Sequence, residues 1–411
     1  MSNPTIVKQH AEDAATKWWR RGIYLNNART RFDELVEFDH SIDAHLDGLR
    51  EAGNAGVEHT HNAYETAIDR RTEDVSADGF VVLALAFLTH DMATIHAVTA
   101  QVAGKPGFAE ALNGVFAWLT SPAIAENIEA QFPNQEPTYR HPALRHAHAH
   151  AIYDSVALKN ALQDSPPESF ALVIDAVANC GRTDLLAPIL DILNNSQPNH
   201  RTSVSFSAAQ GALLLGERQH AIPALQALSL GDTQYSIDAM KLLCLVLPFS
   251  DLQEHLHQFE QKITSPAILI EIAGWSGNPA YVPWLIAQMN DEANGRLAGE
   301  AFRLITGFDI EANDAIPDIP NARSNKNQRY PMPDAAKLST WWQQNHQDFA
   351  IDTKFFLGRP LSMEWLNHLL GLAEQSHREL AALHRMLIQP GTSRFPTQAS
   401  SSIQLSHLQK L

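Results

Sequence analysis

Three times in the middle of the chain an apolar helical stretch closes on a small residue, turns through polar residues and restarts with an apolar-Pro-x-Leu sequence. The segments are Cys180-Gly181-Arg182-Thr183-Asp184-Leu185-Leu186-Ala187-Pro188-Ile189-Leu190, Leu215-Gly216-Glu217-Arg218-Gln219-His220-Ala221-Ile222-Pro223-Ala224-Leu225 and Trp275-Ser276-Gly277-Asn278-Pro279-Ala280-Tyr281-Val282-Pro283-Trp284-Leu285. Glycine just past a helix end tolerates the left-handed conformation, and proline in a first helical turn forfeits no hydrogen bond. The three prolines lie 35 and then 60 residues apart. The longer gap leaves room for one more unit, Ser236–Glu260, turning at Leu247-Pro248-Phe249-Ser250-Asp251. An earlier copy fits Phe80–Val102, turning at Leu88-Thr89-His90-Asp91, and more degenerate copies fit Gly114–Ala130 and Leu144–Leu162. A period of roughly 30–35 residues with two helices per unit is that of an α-solenoid, in which each hairpin buries its apolar stripe only by stacking on its neighbours.

Helical periodicity dominates elsewhere too. Phe170, Val173, Ile174 and Val177 follow i, i+3, i+4, i+7, as do Val282, Leu285, Ile286 and Met289, and sustained strand-like alternation is missing. The expected fold is therefore all-α. The N-terminal module, residues 1–55, holds Trp18-Trp19 and an amphipathic helix with Leu35, Phe38, Ile42, Leu46 and Leu49 on its apolar side. The repeat array spans 56–310, and a Pro/Asn-rich linker covers 311–334. A C-terminal helical module, residues 335–390, carries Trp341-Trp342 and one long helix capped by Ser362; the polar segment 391–411 reads as a flexible tail.

The charge balance narrows the partners. With 30 Lys plus Arg against 46 Asp plus Glu, the formal charge is −16. Nucleic-acid affinity rests on phosphate neutralisation by Lys and Arg, so the expected partner is another protein, a basic one. The two cysteines, Cys180 and Cys244, lie in apolar helical segments and read as buried thiols. The longest apolar runs, Phe80–Leu88 and Leu242–Phe249, are too short to span a bilayer, and the N-terminus lacks a signal-type apolar core. A cytoplasmic location without membrane association is expected. Nothing fixes the oligomeric state.

Three blocks resemble an uncharacterised bacterial family of HEAT-repeat proteins whose members often sit beside type VI secretion components. They are Phe32-Asp33-Glu34-Leu35 through Asp39 with Asp43-Ala44-His45-Leu46-Asp47-Gly48-Leu49 and Ala52-Gly53, then Gly299-Glu300-Ala301-Phe302 with Ile305-Thr306-Gly307, and Trp341-Trp342 with Phe356-Leu357-Gly358-Arg359-Pro360-Leu361. The resemblance implies HEAT-like hairpin repeats between helical N- and C-terminal caps. It also implies a bacterial cytoplasmic setting and a role as adaptor, chaperone or immunity-type partner in toxin delivery. It supplies no catalytic residues.

Candidate interaction residues are Asp39, Asp43 and Asp47 on the acidic faces of the N-terminal helix, Trp341 and Trp342, and Arg359. For both Trp pairs, packing at the ends of an array competes with anchoring a partner, and packing is favoured. No catalytic residue, metal ligand or cofactor is assigned. The dense His141, His146, His148 and His150 cluster places only two imidazoles one helical turn apart, and Ala147 stands where a catalytic zinc helix needs Glu. The alternative is a metal-dependent phosphohydrolase of HD type, with His90-Asp91 as its dyad and His59 or His61 as the upstream ligand.

Overall fold

The computed structural model describes residues 4–70, 74–89, 92–153, 155–164, 169–194, 202–318, 322–323 and 329–411. These residues are mostly helical, with turns, extended connecting segments and one short hairpin, which is the expected all-α class. The chain divides into two compact units, residues 1–188 with 367–411 and residues 189–366. The first contains α1 (Pro4–Asn26), α2 (Phe32–Glu51), α3 (Asn54–Asp69), α4 (Ser76–Leu88), α5 (Met92–Val102), α6 (Phe108–Trp118), α7 (Pro122–Ala130), α8 (Pro137–His146), α9 (Val156–Asp164) and α10 (Phe170–Asn179). After α11 (Leu186–Asn194), the second holds α12 (Thr202–Leu214), α13 (Ala221–Ser229), α14 (Ser236–Val246), α15 (Phe249–Glu260), α16 (Pro266–Ser276), α17 (Val282–Gln288), α18 (Gly295–Thr306) and α19 (Ala335–Asn345). Strands β1 (Phe355–Phe356) and β2 (Arg359–Pro360) close that unit; α20 (Met363–Leu372) precedes α21 (Gln375–Ile388) and α22 (Ser401–Leu408), which belong to the first.

This division corrects the expected segmentation. The C-terminal module of 335–390 is split between the two units. Its long helix is two helices interrupted at Ala373-Glu374, although Ser362 caps the first by accepting from the Trp365 amide. Segment 391–411 is not flexible: Phe395, Ala399, Ile403 and Gln404 are all buried. Its composition hid this, because most of what anchors it is polar.

Helix α4 is apolar on every side and buried from Gly79 to Phe87, as a helix surrounded by others must be. It packs against α1, α2, α3, α5 and α6; α6 then packs on α8, and α8 on α10. In the second unit α12 and α14 flank α13, α14 packs on α16, and α16 on α18. Each fully buried Leu, Val, Ile or Phe in these contacts stabilises by about 1.5–3 kcal/mol before ordering costs.

The turn glycines behave as their positions require. Gly181, with φ of 70°, donates to Ala178 O while Arg182 donates to Val177 O, closing α10 in a Schellman motif. The end of α12 repeats it, with Gly216 donating to Leu213 O and Glu217 to Ala212 O. Pro188, Pro223 and Pro283 fall in the first turns of α11, α13 and α17.

Each unit also carries an extended strap across helix carboxyl ends. In the second unit Lys354 Nζ donates to Cys244 O in the last turn of α14, at 2.5 Å. The Phe355 amide donates to Gly277 O beyond α16, and the Leu357 and Gly358 amides donate to Leu304 O and Ile305 O at the end of α18. In the first unit the Arg394 amide donates to Asn179 O of α10, and Ser400 donates through its amide to Ala117 O and through its hydroxyl to Trp118 O of α6. The last carbonyls of a helix have no partner within it, and these straps supply one. An added Cβ at Gly181 would overlap Gly391 O, and one at Gly277 would overlap Phe355 O, so the turns are glycine for the strap as well as for φ.

Candidate functional site

Of the acidic trio on α2, only Asp47 faces solvent, where it pairs with Arg50 at 2.9 Å. Asp39 is fully buried, and this overturns its assignment to a partner surface. Its Oδ1 accepts from Arg21 Nε at 2.6 Å, and its Oδ2 accepts from Arg21 Nη2 at 3.2 Å and from the Ser401 amide at 2.6 Å. Arg21 also donates to Gln398 O and Ala399 O and lies over the Trp118 ring. Asp43 is half-buried and accepts from Trp118 Nε1 at 2.8 Å; burial pushes its carboxyl above the usual range despite that bond. Asp39 and Asp43, read as part of an outward acidic face, serve the junction of α1, α2, α6 and α22.

The aromatic candidates pack. Trp341 sits against the core of the second unit, edge-on to Phe302, and Trp342 lies against Phe349 at 5.2 Å. Arg359 is exposed, its guanidinium 4.4 Å from the Trp365 ring centroid. In the first unit Trp18 stacks on Phe80 at 4.8 Å, whereas Trp19 is 48% exposed. Both cysteines are buried and free, and burial lifts each thiol to about 12, far from nucleophilic use.

The phosphohydrolase dyad, His90-Asp91, lies outside the described residues. His59 and His61 are half-buried on α3, and burial lowers the His61 pKa. Among the described residues no group of three or more His, Cys, Asp or Glu side chains is placed to hold a metal ion.

Two features of the first unit lay beyond the sequence patterns. A cleft of about 310 Å³ lies between the α10–α11 turn and the strap, lined by Tyr153, Cys180, Gly181, Arg182, Thr183, Asp184, Gly391 and Ser393. Arg182 grips Asp184 with two 2.7 Å bonds and also donates to Ser155 O. That grip holds the Asp184 carboxyl below its usual range, and the Ser393 hydroxyl donates to Tyr153 OH at 3.3 Å. With its thiol protonated and its carboxylate paired, the cleft is equipped to hold a polar group and lacks an activated nucleophile.

The second feature gathers His146, His148, His150, His407 and Arg394. His146 Nε2 donates to Asn113 Oδ1 at 3.0 Å, His150 Nε2 to Phe116 O at 2.6 Å, and His407 Nε2 to Ala149 O at 3.0 Å. His148 Nδ1 is buried with no hydrogen-bond partner. Burial lowers all four imidazoles, His146 to about 3 and His148 well below its ordinary value. The sequence shows the His run but not His407 or Arg394, which are more than 240 residues downstream.

Around these sites no described helix is long and apolar enough to cross a membrane. No protein-family model, curated protein or solved structure matches the chain.

Proposed function

We propose that the chain is a non-catalytic α-solenoid of HEAT-like hairpins that binds a basic protein in the bacterial cytoplasm. The observation that carries this reading is the serial packing of first helices, α4 on α6 on α8 on α10 and α14 on α16 on α18. Serial contact of this kind is how stacked hairpins build a continuous core while each second helix keeps an outward face. The formal charge of −16 suits a basic partner. Among the second helices, α15 exposes Asp251, Glu254 and Glu260 and has no Lys or Arg. The resemblance to proteins beside type VI secretion components directs the search to a toxin or a delivery component, with this chain as adaptor, chaperone or immunity-type partner.

Co-purification from the native host at low salt, followed by direct binding between purified components, tests the reading. A basic protein should bind with an affinity that falls as salt rises, since steering between exposed charges is screened over about 10 Å at 0.1 M. Reversing Asp251, Glu254 and Glu260 to Lys should weaken that binding about tenfold or more through the association rate. A binding constant indifferent to both salt and charge reversal removes the acidic-surface reading; the absence of any stable partner removes the proposal.

A further inference from the structure

The two indoles of Trp18-Trp19 meet different fates. Trp18 packs on Phe80, whereas Trp19 is 48% exposed. One turn further along α1, Ile23 is 53% exposed, and Tyr24 beside it is exposed as well. A single apolar side chain on a surface needs no explanation, but residues four apart on a helix are neighbours and form a strip. The inward side of α1 buries Val7, Ala11, Ala14 and Ala15, so this strip runs along the opposite, unpartnered side. Arg20 stands exposed within it. Trp, Tyr and Arg are the residue types that anchor protein interfaces.

The charges on the same side say what fits it. Lys17 and His10 are turned to α2, where they meet Ser41 and His45. The outward stripe keeps Lys8, Glu12, Asp13 and Arg20, two of each sign, on a chain of formal charge −16. Copies of so acidic a chain repel one another over most of their surface, and a balanced stripe is where they approach at least cost. A basic partner gains nothing there and favours acidic faces instead. Lys8 and Glu12 pair with each other at 3.6 Å. The Asp13 field reaches His45, but neither Asp13 nor Arg20 forms an ion pair or hydrogen bond with a described residue.

Asp13 and Arg20 are seven residues apart, close to two full turns, so they lie on one edge of the stripe. A second copy of α1 laid antiparallel, with a twofold axis between Thr16 and Lys17, sets Asp13 of each copy opposite Arg20 of the other. The same placement brings Trp19 near Glu12 of the second copy, whose carboxylate is an acceptor for the indole N–H. Thr16, a small side chain, falls beside the axis. A twofold interface demands this self-complementarity, because one patch must carry both members of every pair. With 23 residues, α1 offers a contact line of about 34 Å.

We propose that two copies of the chain associate through α1, antiparallel, with Asp13 of each paired to Arg20 of the other and with Trp19 and Ile23 covered. Symmetry forms both ion pairs at once, and covering the apolar strip removes it from water. None of the α15 carboxylates enters the pairing, so self-association and the binding of a basic protein are tested by different variants.

Light scattering and sedimentation of the full chain across a range of concentrations are the test, and the wild-type chain should be a dimer. Asp13→Arg and Arg20→Asp should each weaken association about tenfold or more, since each sets like charges face to face twice. The double variant Asp13→Arg, Arg20→Asp should recover it, because the pairs are rebuilt with their signs exchanged. Trp19→Ala should weaken it about tenfold. A short bismaleimide should join Thr16→Cys to its copy but leave Gln9→Cys single, because two Gln9 positions are roughly 20 Å apart along the paired helices. The native thiols, Cys180 and Cys244, are buried and do not compete. Circular dichroism first establishes that each variant is folded. A wild-type monomer at every concentration, a double variant that stays apart, or crosslinking at Gln9 in place of Thr16 overturns the proposal.

Discussion

Arg21 and Asp39 form a salt bridge removed from water on both sides, with side chains 5% and 0% exposed. Breaking such a pair by neutralising one member leaves the other charge without a partner and costs about 3–5 kcal/mol. Asp39→Asn should therefore lower the unfolding free energy by about that amount in urea titrations. Asp47→Asn, which removes an exposed pair with Arg50, should cost under about 1 kcal/mol. If the two cost the same, the Arg21–Asp39 bridge does not anchor the junction of α1, α2 and α22. The sequence contained the clue to Asp39. Steps of four and three residues from Leu35 land on Asp39, Ile42, Leu46 and Leu49, and all five are buried. The half-buried Phe38 drew the apolar stripe one position aside. A carboxylate on a core stripe signals an internal partner, but the identity of that partner, Arg21 on the preceding helix, depends on tertiary packing.

Helices and their turns were legible because each is a local matter of periodicity, glycine and proline. The straps were not, because an extended segment that caps helix ends has no period and its partners are backbone carbonyls, which carry no sequence signature. The tail shows this most sharply. Gln404 Nε2 donates to Thr397 O and Ala399 O, Gln375 Nε2 donates to Thr397 O, and Arg378 donates to Leu370 O, Gln375 Oε1 and Gln404 Oε1. Burial of that network lowers the Arg378 pKa to about 9, and its guanidinium lies 4.2 Å from the Phe32 ring centroid. A segment dense in Ser and Gln is thus fixed by bonds that composition alone assigns to solvent. The strap of the second unit offers a test at Gly277, which ends α16 in the left-handed region with φ of 64° and ψ of 15°. A Cβ there meets the strap carbonyl of Phe355. The left-handed region alone costs an alanine about 1–2 kcal/mol. Gly277→Ala should cost at least about 1 kcal/mol beyond that, within the usual range for overpacking, and should speed hydrogen exchange at the amides of Phe355, Leu357 and Gly358. A loss no larger than the left-handed penalty, with unchanged exchange, would mean that the strap yields without loss.

At the scale of the whole chain, two opposing electrostatic terms govern the response to acid. The formal charge of −16 repels itself near neutrality, and protonating exposed carboxylates relieves that repulsion. The depressed histidines pull the other way, and they act first. An imidazole neutral in the fold but titrating near 6.5 when unfolded leaves stability undiminished above that pH, because neither state is protonated there. As the pH falls below about 6.5 the unfolded chain takes up the proton and the fold does not, so stability declines until the folded pKa is passed. For His146 that window runs from about 6.5 to about 3, and His148, His150 and His407 open theirs from the same upper edge. Each contributes at most about 1.4 kcal/mol per pH unit, and less in practice, since all four rings keep some contact with solvent. The half-buried carboxyls of Asp43 and Asp78 are raised by burial, so they favour the fold as pH falls through their raised values, and that gain is complete only below the ordinary carboxyl value of 3.8. Urea midpoints in acetate and amine buffers should therefore hold steady from pH 8 to about 6.5 and then drop toward pH 5, a range in which carboxylate relief is still small. His146→Gln, which keeps an amide able to bond Asn113 but cannot titrate, should shallow the decline. A midpoint that stays level or rises between pH 6.5 and 5 in the wild-type chain would mean that the cluster is already protonated in the fold, and that the imidazoles reach water far more freely than their packing around Ala147–His150 allows.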